Sequence, residues 1–242
     1  VHGALQAGVL ATTYTASQGL LLMIPSIYKM AGEMLPGVIH VAARSLSTHS
    51  LSIFGDHQDI YAVRQTGACM LSSSSVEEAY HMAMVSHLAS IKSSLPFINF
   101  FDGFRTSHEI DKVKEIDLSK LETLIDKKAL RKFRDNGMIS GATTRGTAEN
   151  EDVYFQHTES RNGYYIKAID NVIYYMDKIN KICKTDYKPF NYYGDKSSDT
   201  VIIAMGSVCE CIKEVVDDLN KNGKKVGLVT VHLYRPFSNS YL

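Results

Sequence analysis

The sequence has no excess of charge of either sign and no long apolar run. Its 26 basic and 26 acidic residues cancel, and five consecutive Lys or Arg residues occur nowhere. Because basic patches supply much of the affinity for phosphate backbones, we expect no nucleic-acid partner. The longest apolar run, residues 19–24, is far shorter than a bilayer span, and residues 1–11 lack the basic start of a secretory signal. We therefore expect neither a membrane span nor a secretory signal.

Cysteine is scarce and is poorly spaced for binding metals. The four cysteines are Cys69, Cys183, Cys209 and Cys211, and none shows C-x-x-C spacing. A C-x-C pair is a poor ligand set for zinc or for an iron–sulfur cluster. We expect free thiols in a reducing compartment, which favours the cytoplasm, with the matrix of an anaerobic organelle as the alternative.

Both ends of the sequence look like cuts from a longer chain. Residues 1–8 (VHGALQAG) contain no initiator methionine and no capping residue, although small and apolar residues recur there as in a helix. Residues 234–237 (YRPF) directly follow a strand-like run, and the sequence then stops. We expect this chain to be a piece of a larger protein.

Short apolar runs alternate with helical patterns in the first part of the chain. The runs predict strands at residues 10–15, 38–43, 68–71 and 96–101. Helical periodicity predicts helices at residues 20–35 and 75–91, the second opened by a capping box that begins at Ser75. Such strands, apolar on both faces, form parallel sheets that are covered on both sides. We therefore predict an α/β fold with a doubly wound parallel sheet.

A polar residue follows three of these predicted strands closely. Ser17 comes after the first strand, Arg44 after the second and Asp102 after the fourth. Ligands of parallel sheets bind outside the carboxyl ends of the strands. The sequence therefore predicts a binding site at the sheet edge where these three residues lie.

The chain changes character beyond residue 111, where charged helical patterns replace the buried strands. A βαβ unit is predicted near the end, with a strand from residue 200, a helix at 208–219 and a strand at 225–234. We accordingly predict a first domain at residues 1–187, a linker at 188–198 and the start of a second α/β domain at 199–242.

Five sequence blocks stand out along the chain. They are TYTASQGLLLMIP at residues 13–25, VAARS at 41–45, SIFGDHQD at 52–59, RQTG at 64–67 and FFDGFRTSHE at 100–109. In this order and spacing the blocks resemble the first domain of pyruvate:ferredoxin oxidoreductases. The segments YFQ at 154–156 and LYRPF at 233–237 extend the resemblance almost to the end of the chain.

The resemblance implies part of a thiamine-diphosphate-dependent enzyme. Such enzymes oxidatively decarboxylate pyruvate to acetyl-coenzyme A and carbon dioxide, and pass electrons through [4Fe–4S] clusters to ferredoxin or flavodoxin. The implied fold is the pyrimidine-side thiamine-diphosphate domain, without its N-terminal part, followed by the start of a second α/β domain. The implied cofactors are thiamine diphosphate, magnesium, [4Fe–4S] clusters and coenzyme A, and the full-length enzyme is expected to be a homodimer.

Much of the family's chemistry is expected outside this sequence. The family places the glutamate that protonates the aminopyrimidine just upstream of the first block, and a pyruvate-contacting threonine loop further upstream. The cluster-binding cysteines, the diphosphate and magnesium motif and the coenzyme A site do not occur here either. We therefore assign no catalytic residue and no metal ligand, and we expect the chain alone to be inactive.

Arg44 matches the family's arginine that holds the pyruvate carboxylate. A guanidinium group offers a planar, permanently charged fork to a carboxylate. The alternative is an arginine at a strand end that pairs with a nearby carboxylate of the protein.

Four residues lie where related thiamine enzymes bring strand-end groups against the aminopyrimidine, namely Thr15, Ser17, Gln18 and Gly19. Gly19 would allow a close backbone approach. Ser17 could instead be a helix N-cap, and both interpretations can hold together.

Other polar clusters are expected to be structural. For Asp102, Arg105 and His108 we favour an internal ion pair over a site-facing loop. Residues 56–59 (DHQD) contain too few ligands for a metal site, so we favour helix capping or a subunit contact. Gly206 and Ser207 could cradle an anion, although this signal is weak.

Three alternatives to a ferredoxin- or flavodoxin-dependent pyruvate enzyme stay open. The same modules occur in a fused enzyme that passes electrons to NADP through a flavoprotein domain. Another 2-oxo acid could be the substrate. A non-catalytic module for assembly or dimerisation is the alternative from a different class.

Overall fold

The computed structural model of the protein describes residues 1–141 and 143–242. Within these residues the strands are β1 (Thr12–Thr15), β2 (Val38–Ala43), β3 (Cys69–Ser73), β4 (Phe97–Asp102), β5 (Phe190–Gly194), β6 (Thr200–Ala204), β7 (Val226–Val231) and β8 (Leu233–Arg235). The α-helices are α1 (His2–Gln6), α2 (Gln18–Leu22), α3 (Ile24–Gly32), α4 (Gln58–Val63), α5 (Val76–Ser93), α6 (Leu118–Glu122), α7 (Lys127–Asp135), α8 (Glu151–Glu159), α9 (Asn162–Cys183) and α10 (Val208–Lys221). A short 3₁₀ helix spans Thr106–His108.

The first sheet has the strand order β1-β2-β4-β3-β8, and its first four strands are parallel. Consecutive residues of its central strands belong to opposite cores. Val38 and Phe97 pack with α5 and α9, whereas Ile39 and Ile98 pack in the cluster that contains residues of α2, α3 and α4. Helices therefore cover both faces, and the predicted doubly wound parallel sheet is confirmed.

Two predictions for single elements are wrong in detail. The strand predicted to be buried at residues 10–15 is an edge strand, β1, with Tyr14 75% exposed. The predicted helix at 20–35 is two helices, because α3 starts afresh at Ile24 with Pro25 in its first turn, where the missing N–H needs no partner.

The second sheet has the order β5-β7-β6, with β6 parallel and β5 antiparallel to β7. Helix α10 connects β6 to β7 and packs Cys209 and Val216 against Leu228, which gives the predicted βαβ unit. The stretch 188–198, expected to be a linker, contains β5. This strand pairs with β7 at all five of its positions, so this part of the predicted linker is an extended, hydrogen-bonded strand.

The predicted strand at 225–234 is divided between the two sheets. β7 ends at Val231, and β8 leaves to pair antiparallel with β3 of the first sheet. Leu233 is fully buried in the core beneath α5 and α9, and burying this apolar side chain accounts for the change of sheet. Residues 233–235, assigned to the second domain from the sequence, thus belong to the first sheet.

Among the residues described, no helix combines the length and apolar composition that a membrane span requires.

Candidate functional site

The carboxyl ends of β1, β2 and β4 lie side by side at one edge of the first sheet. The register pairs Thr15 with Val41 and Ala43 with Asp102. Arg44 follows β2 directly and Ser17 lies two residues beyond the end of β1, so the three predicted polar positions meet at this edge as the sequence predicts.

A buried aspartate, Asp59, joins the ends of β1 and β2. Its side chain is fully buried in the first turn of α4. Its Oδ2 atom accepts hydrogen bonds from the backbone N–H of Ser17 (2.8 Å) and of Arg44 (3.1 Å), and its Oδ1 atom accepts one from Ile60 (2.8 Å). Burial raises the pKa of Asp59, and the three amide donors work against that rise.

The turn at Ser17 has an unusual backbone, with φ 50° and ψ −125°. A positive φ is rare for a residue with a side chain, and surrounding contacts must maintain it. The Ser17 hydroxyl lies 2.8 Å from the carbonyl oxygen of Ser45 and 2.5 Å from the Gln18 amide oxygen, and Gln18 donates to the carbonyl of Ser47. Ser17 does occupy the N-cap position of α2, but its side chain makes no capping hydrogen bond.

Gly19 faces the last residue of β1. A Cβ at Gly19 would lie only 2.6 Å from the Oγ1 atom of Thr15. The absence of a side chain at this position therefore lets the Thr15 hydroxyl pack directly against the backbone of residue 19.

Arg44 has its backbone fixed while its guanidinium group has no ionic partner. Its N–H donates to Asp59, and it forms an antiparallel bridge with Gly55. A Cβ at Gly103 would clash with the Arg44 Cγ, so the arginine stem depends on a glycine beneath it. In the described part of the chain no carboxylate pairs with the guanidinium, and its Nε is buried without a hydrogen-bond partner. This geometry does not support the alternative of an internal ion pair for Arg44.

Asp102 links this edge to the second sheet. Its Oδ1 atom lies 2.8 Å from His57 Nε2, and its Oδ2 atom accepts from the Ser207 backbone N–H (2.9 Å) and hydroxyl (2.5 Å). Burial alone would raise the pKa of Asp102, but the hydrogen bonds from His57 and Ser207 outweigh burial, so the pKa is lowered. The anion at the Gly206–Ser207 turn is thus a carboxylate of the protein itself.

Arg105 and His108 do not join Asp102 in the ion pair that the sequence analysis favoured. Both are exposed, and they line a cleft of about 680 Å³ together with Ser207 and Glu210 at the start of α10. The partner of Asp102 is His57, 45 positions away along the chain, which proximity in sequence could not indicate.

The segment 56–59 does more than cap a helix. Asp56 does accept a hydrogen bond from the backbone N–H of Gln58 (3.0 Å) near the start of α4, as a capping residue would. The roles of Asp59 and His57 in joining strand ends were not predicted. Among the described residues, no group of three or more His, Cys, Asp or Glu side chains is arranged to hold a metal.

Comparison with known proteins covers nearly the whole chain. Residues 1–177 match the family model described as pyruvate flavodoxin/ferredoxin oxidoreductase, thiamine diphosphate-binding. Residues 198–242 match the core domain II of pyruvate:ferredoxin oxidoreductase.

Several curated proteins are similar over 98% of the chain. The chain is 57% identical to a pyruvate-flavodoxin oxidoreductase of Enterobacter agglomerans and 52% identical to a pyruvate:ferredoxin oxidoreductase of Moorella thermoacetica, and it covers 20% of each. It is 50% identical to the mitochondrial pyruvate dehydrogenase [NADP(+)] of Euglena gracilis and covers 13% of that protein. The chain therefore spans about one fifth or less of the length of these relatives.

A solved structure shares the fold. It is a 2-oxoglutarate:ferredoxin oxidoreductase from Magnetococcus marinus with 2-oxoglutarate, coenzyme A and succinyl-CoA bound. The match has a TM-score of 0.64 at 17% identity and covers 99% of this chain and 44% of the other. At this identity the match supports the α/β architecture alone.

Proposed function

This chain belongs to the pyruvate flavodoxin/ferredoxin oxidoreductase family, and we propose that in the full-length protein it forms the substrate-facing side of a thiamine diphosphate site that oxidatively decarboxylates pyruvate. Arg44 binds the pyruvate carboxylate in this proposal. The observation that carries it is the guanidinium group, which lies at the carboxyl edge of the sheet with a buried, unpartnered Nε. A guanidinium without an internal counterion can accept a carboxylate from outside the chain.

The residues at the β1 end fit one side of a thiamine diphosphate site. Gly19 has no side chain, so the Thr15 hydroxyl packs against its backbone and a ligand can approach that backbone closely. Ser17 and Gln18 hold the turn through their bonds to residues 45–47, so they shape this surface. When bound, thiamine diphosphate supplies the carbanion chemistry that decarboxylation of a 2-oxo acid needs. The chain's own part is to orient the substrate beside it.

The remaining cofactors and partners are proposed for the rest of the full-length protein. They are magnesium, [4Fe–4S] clusters, coenzyme A and a ferredoxin or flavodoxin acceptor, in a cytoplasmic homodimer. The relatives named above are flavodoxin- and ferredoxin-linked oxidoreductases, which supports this acceptor. An NADP-linked fusion is the second candidate, and the Euglena relative supports it at 50% identity.

The test is Arg44→Lys in the full-length enzyme. Lysine keeps the positive charge but loses the bidentate fork, so kcat/KM for pyruvate should fall by a factor that corresponds to roughly 2–4 kcal/mol. Thiamine diphosphate affinity should be nearly unchanged, because the arginine binds the substrate. Arg105→Lys is the matched control, since Arg105 is an exposed arginine that follows a neighbouring strand.

Two results would contradict this role. Near-normal turnover of Arg44→Lys would remove Arg44 from the substrate site. A joint loss of cofactor affinity and thermal stability would show that the arginine supports the fold instead.

A further inference from the structure

Beyond the paired residues of β1 and β2, strand pairing no longer fixes the distance between the two segments that follow these strands. The register of the two strands ends with Thr15 opposite Val41. Past that point a single atom, Asp59 Oδ2, accepts from the backbone N–H groups of both Ser17 and Arg44. This one oxygen joins the two segments that flank the proposed substrate position through their backbones, and the side-chain bonds from Ser17 to Ser45 and from Gln18 to Ser47 add to it.

The carboxylate that makes this connection is itself firmly held. Ile60 and Val63 are fully buried and anchor α4 in the core of the first sheet. The second oxygen of Asp59 accepts from the Ile60 N–H, so both oxygens are used. Because the side chain is fully buried, solvent does not compete for these bonds.

We propose that Asp59 is a positioning residue for the 2-oxo-acid site, which holds Arg44 and the Ser17 turn in the geometry that productive substrate binding requires. This inference rests on the proposed function of Arg44. Asp59 acts through the backbone of Arg44 and makes no contact with the substrate. A carboxylate suits the role because it offers acceptors only, on two oxygens, to three converging amide donors.

Asp59→Asn changes this arrangement with little change of volume. An Asn side chain has one acceptor oxygen, and its NH₂ group would face at least one of the backbone N–H groups that now donate to Asp59. In either orientation of the amide, its NH₂ group meets a backbone N–H, that of Ile60 or those of Ser17 and Arg44, so the side chain must turn away and its hold on Arg44 and the Ser17 turn should weaken. Misplacement of a substrate-orienting group by even about 1 Å can cost on the order of 100-fold in rate.

The test is a double-mutant cycle in the full-length enzyme, with kcat/KM for pyruvate as the readout. Asp59→Asn should lose roughly 10- to 100-fold. In the Arg44→Lys background, Asp59→Asn should add little, within about 3-fold, because the group that it positions has already been removed. Asp56→Asn is the matched control: Asp56 lies three residues earlier, its side chain caps Gln58 and bonds to neither segment, and its backbone bond to Ala43 does not depend on the side chain, so activity should be nearly normal.

The outcomes separate this proposal from the proposed function. If Arg44→Lys is impaired but Asp59→Asn is unaffected or fully additive, the positioning role is overturned and the function of Arg44 stands. If Arg44→Lys is normal, the proposed function itself fails, and the role of Asp59 in it fails too.

A second measurement needs no variant, and it decides the matter if Asp59→Asn does not fold. In the native full-length protein, the backbone amides of Ser17 and Arg44 should exchange slowly with deuterium although both lie beyond the paired strands. Fast exchange at these two amides, with slow exchange in β2, would show that the Asp59 bridge is not maintained and would overturn the proposal.

Discussion

Two buried aspartates organise neighbouring parts of the same sheet edge, and they do so in different ways. Asp59 joins the ends of β1 and β2 and accepts only from backbone amides. Asp102 ends β4 and bonds to the His57 ring and to Ser207, which begins the helix of the second sheet. One carboxylate thus holds the site together, and the other attaches the second sheet to it.

The pKa values of the two groups shift in opposite directions for this reason. For Asp59, burial is the larger influence and raises the pKa despite three amide donors. For Asp102, the side-chain donors His57 and Ser207 outweigh burial and lower the pKa. The two carboxyl groups therefore differ in the balance between burial and hydrogen bonding: side-chain donors outweigh burial at Asp102, and backbone amides do not outweigh it at Asp59.

Removing Asp102 should have the largest effect and should loosen only the second sheet. Asp102→Ala leaves His57 and the Ser207 N–H without their shared partner, which should cost about 2–4 kcal/mol locally. Deuterium exchange in residues 203–209 of the full-length protein should report this cost as a lower opening free energy. Exchange at the Asp59-held amides of Ser17 and Arg44 should change little.

Asp111→Ala provides the control for this experiment. Asp111 lines the same cleft as Ser207 but is exposed. Its removal should leave exchange at residues 203–209 unaltered. If Asp102→Ala loosened the Ser17 and Arg44 amides equally, the two aspartates would form one unit, and the contrast between them would be wrong.

Gly103→Ala should have the next largest effect and should act on the Asp59 side of the edge. The new Cβ would clash with Arg44 Cγ and would lie 2.9 Å from the carbonyl oxygen of Ala43. The backbone of β2 cannot yield easily, so overpacking of about 1–3 kcal/mol should displace the arginine stem. We expect weaker pyruvate kinetics with the attachment of the second sheet intact.

Gly163→Ala is the matched control for that substitution. Gly163 lies in the first turn of α9, and a Cβ there would meet nothing within 4 Å. Alanine in a helix should stabilise by roughly 0.5–1 kcal/mol and leave kinetics unchanged. Normal pyruvate kinetics in Gly103→Ala would show that the stem of Arg44 relaxes freely, and that Gly103 does not set its position.

The sequence predicts those parts of the architecture that depend on the pattern of apolar residues within a short stretch of chain. The run at Val38–Ala43 gave the bounds of β2 correctly, and the alternation of strands and helices gave the doubly wound sheet. Because carboxyl ends of parallel strands meet at one edge, the strand pattern alone was enough to place Ser17, Arg44 and Asp102 together.

What could not be predicted depends on partners that are distant along the chain. Asp59 bonds to amides 42 and 15 positions away, and a backbone amide has no signature in the sequence. The segment Phe190–Gly194 contains Pro- and Gly-flanked aromatics that suit a loop or a strand, and only pairing with β7 decides the matter. The domain limits at 187 and 199 and the assignment of Thr15, Ser17, Gln18 and Gly19 to a cofactor site stay predictions.

The smallest of the expected effects is a difference between the two aspartates in how local stability responds to acid. It is the smallest because protonation removes no atom from either side chain. The folded-state pKa of Asp102 is lowered, so its stabilisation is complete above the ordinary aspartate value and is lost as the pH falls below about 4. The folded-state pKa of Asp59 is raised, so the unfolded chain ionises first, and burial of the charge costs stability at neutral pH. That cost is relieved as the pH falls, so acid favours the folded state at Asp59 and disfavours it at Asp102.

As the pH falls from about 7 past the ordinary aspartate pKa and on through the lowered folded-state pKa of Asp102, the second sheet should therefore loosen while the Ser17 and Arg44 segments hold. Deuterium exchange, corrected for the intrinsic pH dependence of the amide rate, should show falling protection at residues 203–209 and steady protection at Ser17 and Arg44. In Asp102→Asn the first change should disappear, because asparagine does not titrate and the attachment is already weakened. Parallel loss of protection in both segments would mean that a group other than Asp102 controls the acid response, and the electrostatic distinction between the two aspartates would then have no consequence for stability.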